Sequence, residues 1–301
     1  LDLEDPAGRE LLLRLVASAH AVVENFSGAV LPKLNLSYDV FKQVNDKIIL
    51  VSMPAFGSTG PWANFRAYGS TVEQSSGLPH LNGSAEDLPT MHHVAYGDAV
   101  GGLNGAAALL VALRHQARTG LGQFVDVSQV EGLFPLASHG IMEFSAKQRH
   151  PAPAGSRRDN VNPHGVYPCV GDDAWIVIQI YNDAQWQALR GMAAPYLDEF
   201  ADRFGQPEAL DRSIAEWTKQ QTARALMYAL QARHVPAVVT NKASELLTDA
   251  HLDEGGYWQW MDRAVVGNQP NPSPPFRVNA QRIQIGKPAP TLGQHHHEIW
   301  A

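Results

Sequence analysis

The sequence predicts an α/β protein, with a parallel sheet in a large domain and a smaller α+β domain after it. Three observations predict this. Short apolar runs at Ala21–Val23 and Ile48–Met53 alternate with segments of helical spacing. Both runs are apolar but for Ser52, as expected of parallel strands covered on two faces. A stretch rich in proline, arginine and asparagine, His150–Pro163, then separates this pattern from one that contains a hairpin signal.

Taken in order, Asp5-Pro6 reads as an N-cap followed by proline at the first helical position. Gly8–Ser18 carries Leu11, Leu12, Leu15 and Val16 on one helical face. Ala21–Val23 is a buried strand leaving through Glu24-Asn25-Phe26, Tyr38–Val44 a helix, and Ile48–Met53 a second buried strand. Pro54–Gly69 is a long loop of the kind that builds ligand sites at strand ends. Gly101–Arg118 is a helix closed by Thr119-Gly120. Gly122–Ser128 alternates as a strand, and Glu131–Lys147 is helical. Past the His150–Pro163 linker, Gly165–Cys169 and Ala174–Ile180 form a hairpin about Gly171-Asp172-Asp173. Asp183–Met192 and Ile214–Ala232 are helices, Pro236–Val239 is a strand, and Pro270–Pro275 is a second linker. The expected domains are 1–149, with linker 150–163, then 164–262, with 263–301 returning to the first.

Composition bounds the function. The 301 residues carry a net charge of −7, so a general nucleic-acid binder, which is usually basic, is not expected. The richest apolar run, Ala106–Leu113, falls short of a membrane span and no cleavable leader is expected. The single cysteine, Cys169, excludes an internal disulfide framework and fits a reducing, cytoplasmic setting.

The segment Tyr96–Gly105 places Asp98 beside a helix start, among Gly97, Gly101, Gly102 and Gly105. By these residues alone Asp98 is first an N-cap. An ionised carboxylate with open access is the alternative, able to attack a carbonyl, with the glycines admitting a bulky ligand. Asn25-Phe26-Ser27 ends a strand. A core phenylalanine is the plain reading, and a purine contact the functional one. Lys33 and Arg66 are loop cations that read as surface residues, with phosphate pairing as the alternative. His92-His93 reads as loop, with proton transfer as the alternative. His295-His296-His297 is a surface tail, because consecutive side chains do not converge on a metal. Gly120-Leu121-Gly122 lacks the third glycine and the strand-to-helix order of a dinucleotide loop.

Read together, Asp2–Arg9, Val22–Phe26, Ala55–Pro61, Ser75–Leu78, Gly97-Asp98, Thr119–Ser128, His164–Pro168, Val235–Ala237 and Ala289–Gly293 resemble, in order, the motifs of the family III (CaiB/BaiF-type) CoA-transferases. The resemblance implies a Rossmann-like large domain and an interlocked homodimer. It implies CoA transfer from an acyl-CoA to a small organic acid, with CoA as substrate and no metal. It puts the nucleophile on Asp98. It puts the CoA contacts on Asn25, Phe26 and Ser27, on Lys33, and on Arg66, Ala67 and Tyr68. Family members carry a further N-terminal stretch that this sequence does not show. A glycine-rich shielding loop is not visible around Asp159–His164, which turns the expectation from oxalate toward other organic acids. The turn after Phe26 reads Ser27-Gly28-Ala29, which displaces the family's proline. A partner-dependent acyl-CoA-binding half is one alternative. An acyl-CoA racemase is the other, weakened because Tyr68 stands where that branch carries histidine.

Overall fold

A computed structural model describes residues 1–91 and 94–300 of the chain. His92, His93 and Ala301 lie outside the described residues, and with them the proton-transfer reading of the histidine pair. Contacts divide the chain into two compact units, Leu1–Arg157 and the remainder from Arg158.

The first unit opens with α1 (Pro6–Ser18), where the Asp5 carboxylate accepts the Ala7 N–H and Pro6 occupies the first turn. Then come β1 (Ala21–Glu24), α2 (Val30–Lys33), α3 (Tyr38–Val44) and β2 (Ile49–Ser52). After the loop at 53–68 follow α4 (Gly69–Gln74), α5 (Tyr96–Thr119), β3 (Gln123–Asp126), α6 (Gln129–Leu133) and α7 (Ser138–Lys147). The three strands are parallel in the order β1-β2-β3. Successive side chains of β2 alternate between two apolar layers, as strand geometry requires. Leu50 packs with Val16, Leu36, Phe41 and Ile48 among α1 and α3. Ile49 and Val51 pack with Ala112 of α5.

Several sequence expectations are corrected here. Strand β1 lies at the sheet edge and is only half buried, with Val23 52% exposed. Lys33 sits on the short helix α2 rather than in a loop. Helix α5 begins at Tyr96, five residues before the expected Gly101, and ends where Gly120 takes the left-handed φ of 75°. By length and composition α5 is apolar enough to cross a membrane, contrary to the expectation from Ala106–Leu113. Ala99, Val100 and Leu103, ahead of that run, extend its apolar character. Of that apolar stretch, 22% is buried, where α5 packs on α4, α6, β2 and β3. The single helix expected over Glu131–Lys147 is two, parted at Phe134-Pro135, because proline cannot donate to a helix interior.

The second unit contains β4 (His164–Pro168), β5 (Trp175–Gln179), α8 (Asp183–Met192), α9 (Pro207–Thr218), α10 (Ala223–Gln231) and β6 (Ala237–Val239). The order β4-β5-β6 is antiparallel throughout. Its inner face packs Tyr167, Ile176 and Ile178 on Trp186, Leu189 and Ile214. The helix expected over Ile214–Ala232 is two elements, with a break at Lys219–Thr222. Beyond them lie α11 (Ala250–Glu254), β7 (Trp258–Arg263), β8 (Gly267–Pro272), β9 (Arg277–Val278), β10 (Gln281–Arg282) and α12 (His296–Trp300). Strands β7 and β8 form a two-stranded ribbon that takes in half of the expected Pro270–Pro275 linker. Pro270 pairs with Trp260 and Pro272 with Trp258. A ribbon of two strands has edges on both sides, and edge positions tolerate a missing N–H.

Cys169 is buried, and burial pushes its thiol above the ordinary value of 9.0. Its contribution to stability is therefore full below that value and lost as pH rises through the higher folded-state value. A disulfide reagent at neutral pH is expected to modify it slowly in the native protein and rapidly in urea. Equal rates would place the thiol at the surface.

Candidate functional site

The carboxyl ends of the three parallel strands gather the sequence-predicted residues of the first unit. This is where ligands bind in open parallel sheets. At the end of β1, the Glu24 carboxylate accepts the Phe26 N–H at 2.8 Å and also the Ser52 hydroxyl at the end of β2. These bonds hold the Asn25-Phe26-Ser27 turn, with Asn25 and Phe26 exposed and Ser27 half-buried. The Ser27 carbonyl then accepts the Val30 N–H at 2.9 Å in the turn that leads into α2, and α2 carries the exposed Lys33.

The loop after β2 runs across to the same end. Ser58 donates its backbone N–H and its hydroxyl to Asp126 at the end of β3, at 2.9 and 2.5 Å. Gln129 on α6 donates to the Met53 carbonyl at 2.8 Å. Gly28 lies so close to this loop that an added Cβ would stand 3.2 Å from the Ala63 carbonyl oxygen. The loop then delivers the exposed Arg66, the partly buried Ala67 and the exposed Tyr68 to the start of α4, where Tyr68 is the N-cap position.

Asp98 is not the N-cap of α5. That position is Ala95, and Asp98 lies within the first turn, exposed to solvent. It stands at the amino end of a 24-residue helix, where the helix dipole presents its positive end. Its carboxylate rests directly on Gly69, the first residue of α4. A Cβ added to Gly69 would stand 2.6 Å from Asp98 Cγ and 2.7 Å from Oδ2. The segment 66–68 thus leads straight to Asp98. The structure brings Arg66, Ala67 and Tyr68 to the approach to this carboxylate, and Asn25, Phe26, Ser27 and Lys33 to the neighbouring strand end. Sequence reasoning misses Gly69. Its only signal is its position between the 66–68 segment and the helix that follows.

The glycines around Asp98 have another role than the one expected. Gly97, Gly101 and Gly105 are buried, four residues apart, on one face of α5. An added Cβ would meet the Gly69 carbonyl at Gly97, Gln129 at Gly101 and Met53 at Gly105. They let α5 pack closely on α4, α6 and the end of β2. Of the four, only Gly102 has no atom within 4 Å and faces open space.

Beside the Asn25–Ser27 turn lies a cavity of about 450 Å³. Tyr38 of α3 and Phe124 of β3 form part of its wall, their ring centroids 6.0 Å apart. The Tyr38 phenol is pushed above its usual range, first by burial and then by the charge of Asp39. Elsewhere, the His295–His297 tail remains at the surface, His295 pairing with Glu298 at 3.1 Å. Among the described residues no three histidine, cysteine, aspartate or glutamate side chains are grouped to hold a metal.

The fold recurs in known proteins. A CAIB/BAIF family protein from Brucella suis superimposes with a TM-score of 0.88 at 28% identity, covering 99% of this chain and 79% of that one. A probable CoA-transferase of Mycobacterium tuberculosis is 32% identical over 98% of this chain, which spans 39% of that relative. A succinyl-CoA–D-citramalate CoA-transferase of Chloroflexus aurantiacus is 30% identical over the whole chain, which spans 76% of it. The model of CoA-transferase family III matches residues 1–296: the chain belongs to CoA-transferase family III.

Proposed function

We propose that the chain transfers CoA from an acyl-CoA to a free carboxylic acid, with Asp98 as nucleophile. The observation that carries this is the exposed Asp98 carboxylate at the amino end of α5, seated on Gly69 directly after the Arg66–Tyr68 segment. An Asp98 oxygen attacks the thioester carbonyl, the C–S bond breaks, and CoA leaves as thiolate from a mixed anhydride. The thiolate attacks the aspartyl carbonyl, giving an aspartyl-CoA thioester and releasing the donor acid. The acceptor carboxylate then attacks that thioester, forming a second anhydride and freeing the thiolate. Attack of the thiolate on the acceptor's acyl carbon yields the new acyl-CoA and restores Asp98.

Lys33 and Arg66 pair with the phosphates of CoA, and Asn25, Phe26, Ser27, Ala67 and Tyr68 line its path. The relative from Chloroflexus is named for succinyl-CoA and a dicarboxylic acid, so a dicarboxylic donor and acceptor are the first to test. An interlocked homodimer in the cytoplasm, with the tail from 263 returning to a large domain, is part of the same proposal. The exposed apolar face of α5, with Leu103, Leu110 and Val111, favours one further reading: turnover needs another chain or segment seated there.

The test is to incubate the chain with succinyl-CoA and hydroxylamine and to map the modified peptide by mass spectrometry. Hydroxamate on Asp98 is the expected result. Turnover with Asp98 unmodified overturns the mechanism. Adduct formation without transfer supports the partner-dependent reading.

A further inference from the structure

We propose that the chain is also an acyl-CoA hydrolase: without an acceptor acid, water takes the acceptor's place at the aspartyl-CoA thioester on Asp98. This rests on the CoA-transfer reading and adds a second fate for its covalent intermediate.

The Asp98 carboxylate is covered where it rests on Gly69 of α4. Elsewhere it is open. Asp98 is exposed and makes no hydrogen bond or ion pair among the described residues. Its neighbours on the α5 surface, three residues before and four after, are the exposed Ala95 and Gly102. Neither is large enough to roof a carboxylate, and a Cβ added at Gly102 would find no atom within 4 Å. Tyr68, next to Gly69, is 84% exposed, so its ring is not packed over the site. Water therefore reaches the carbonyl carbon of a thioester formed on Asp98. Enzymes that protect reactive intermediates from hydrolysis do so by excluding water.

The two covalent species meet water differently. In the mixed anhydride, the CoA thiolate just released is held by its own nucleotide beside the aspartyl carbonyl, so its attack is effectively intramolecular and outruns water. The aspartyl-CoA thioester has no such partner until an acid binds. Water adds to the Asp98 carbonyl carbon, the C–S bond breaks, and CoA leaves as thiolate. One proton of the water goes to that thiolate and the other to solvent, which restores the Asp98 carboxylate and yields the CoA thiol. The donor acid has already left with an oxygen of Asp98, so the sum is acyl-CoA plus water giving acid and CoA. The oxygen of the water ends on Asp98. A bound, oriented acceptor acts at an effective concentration of about 10⁵ M or more, far above water at tens of molar, so transfer prevails whenever the acid is present.

The test is to incubate the chain with succinyl-CoA in heavy-oxygen water without added acid, following free CoA by chromatography and the Asp98 peptide by mass spectrometry. The expected result is release of more than one CoA per chain, with heavy oxygen in the Asp98 carboxylate. Asp98→Ala is expected to show only the spontaneous hydrolysis of the thioester. Gly102→Leu sets a side chain over the open face one turn from Asp98. With circular dichroism to confirm its fold, it is expected to slow hydrolysis more than transfer. CoA release no faster than with Asp98→Ala, no heavy oxygen in Asp98, or an unchanged ratio of hydrolysis to transfer in Gly102→Leu overturns the hydrolase. If an added acid is still converted to its CoA thioester, the CoA-transfer reading stands without it. Neither transfer nor label at Asp98 overturns both.

Discussion

Asp98→Ala is expected to reduce CoA transfer by at least about a thousandfold, because removing a nucleophile ends the covalent route and leaves only binding and positioning. The fold should survive. Asp98 is exposed, and its favourable interaction with the α5 dipole is worth only ~0.3–1 kcal/mol. Circular dichroism and the thermal midpoint are therefore expected to stay near those of the native chain while transfer, measured by exchange of label between acyl-CoA and acid, disappears. Asp98→Glu keeps the carboxylate but moves it by one methylene, and a misplacement near 1 Å can cost on the order of a hundredfold. Gly69→Ala is a finer probe, since its methyl would collide with the Asp98 carboxylate at 2.6 Å without removing it. Turnover should fall, with CoA affinity little changed. An Asp98→Ala protein that keeps its full rate refutes the mechanism, whatever the other variants do.

Gly97→Ala is expected to destabilise the first unit by ~1–3 kcal/mol, the usual cost of overpacking. A methyl there meets a backbone oxygen, that of Gly69, at 2.7 Å and the branched Val72 Cβ at 2.9 Å, and neither can rotate away. Helix α5 must shift from α4 and carry Asp98 with it, so turnover should fall too. Gly102→Ala, four residues from Asp98 on the open side of the helix, has nothing within 4 Å. It should leave transfer intact and raise stability by up to about 1 kcal/mol, the difference in helix propensity. Thermal melts and transfer rates of the two variants check this. Two variants that behave alike would mean the glycine stripe does not pack as described.

Part of this site is legible in the amino-acid sequence. The Asp5-Pro6 cap, the apolar run of β2 and the hairpin of β4 and β5 follow from local chemistry, and all three appear where that chemistry places them. The ordered motifs from Asp2 to Gly293 point to the family. Boundaries fail where a local signal competes with a tertiary one. Local propensity places the start of α5 five residues late, because Gly97 disfavours a helix; close packing on α4 requires it there. Pro135 is masked by the apolar pattern around it. Pro270 and Pro272 carry the local signature of a linker, although edge strands accept them.

By itself the sequence determined the alternation of strands and helices, the family, and Asp98 as the residue to suspect. Those properties reside in local period and in motif order, which a chain displays without folding. Only the tertiary structure decided that the glycine stripe faces neighbouring helices rather than a ligand. It alone placed the Asp98 carboxylate on Gly69, and Asp39 in the wall of a cavity at the strand ends. These depend on which distant segments meet, and no periodicity along the chain records which face of one helix will find the first residue of another.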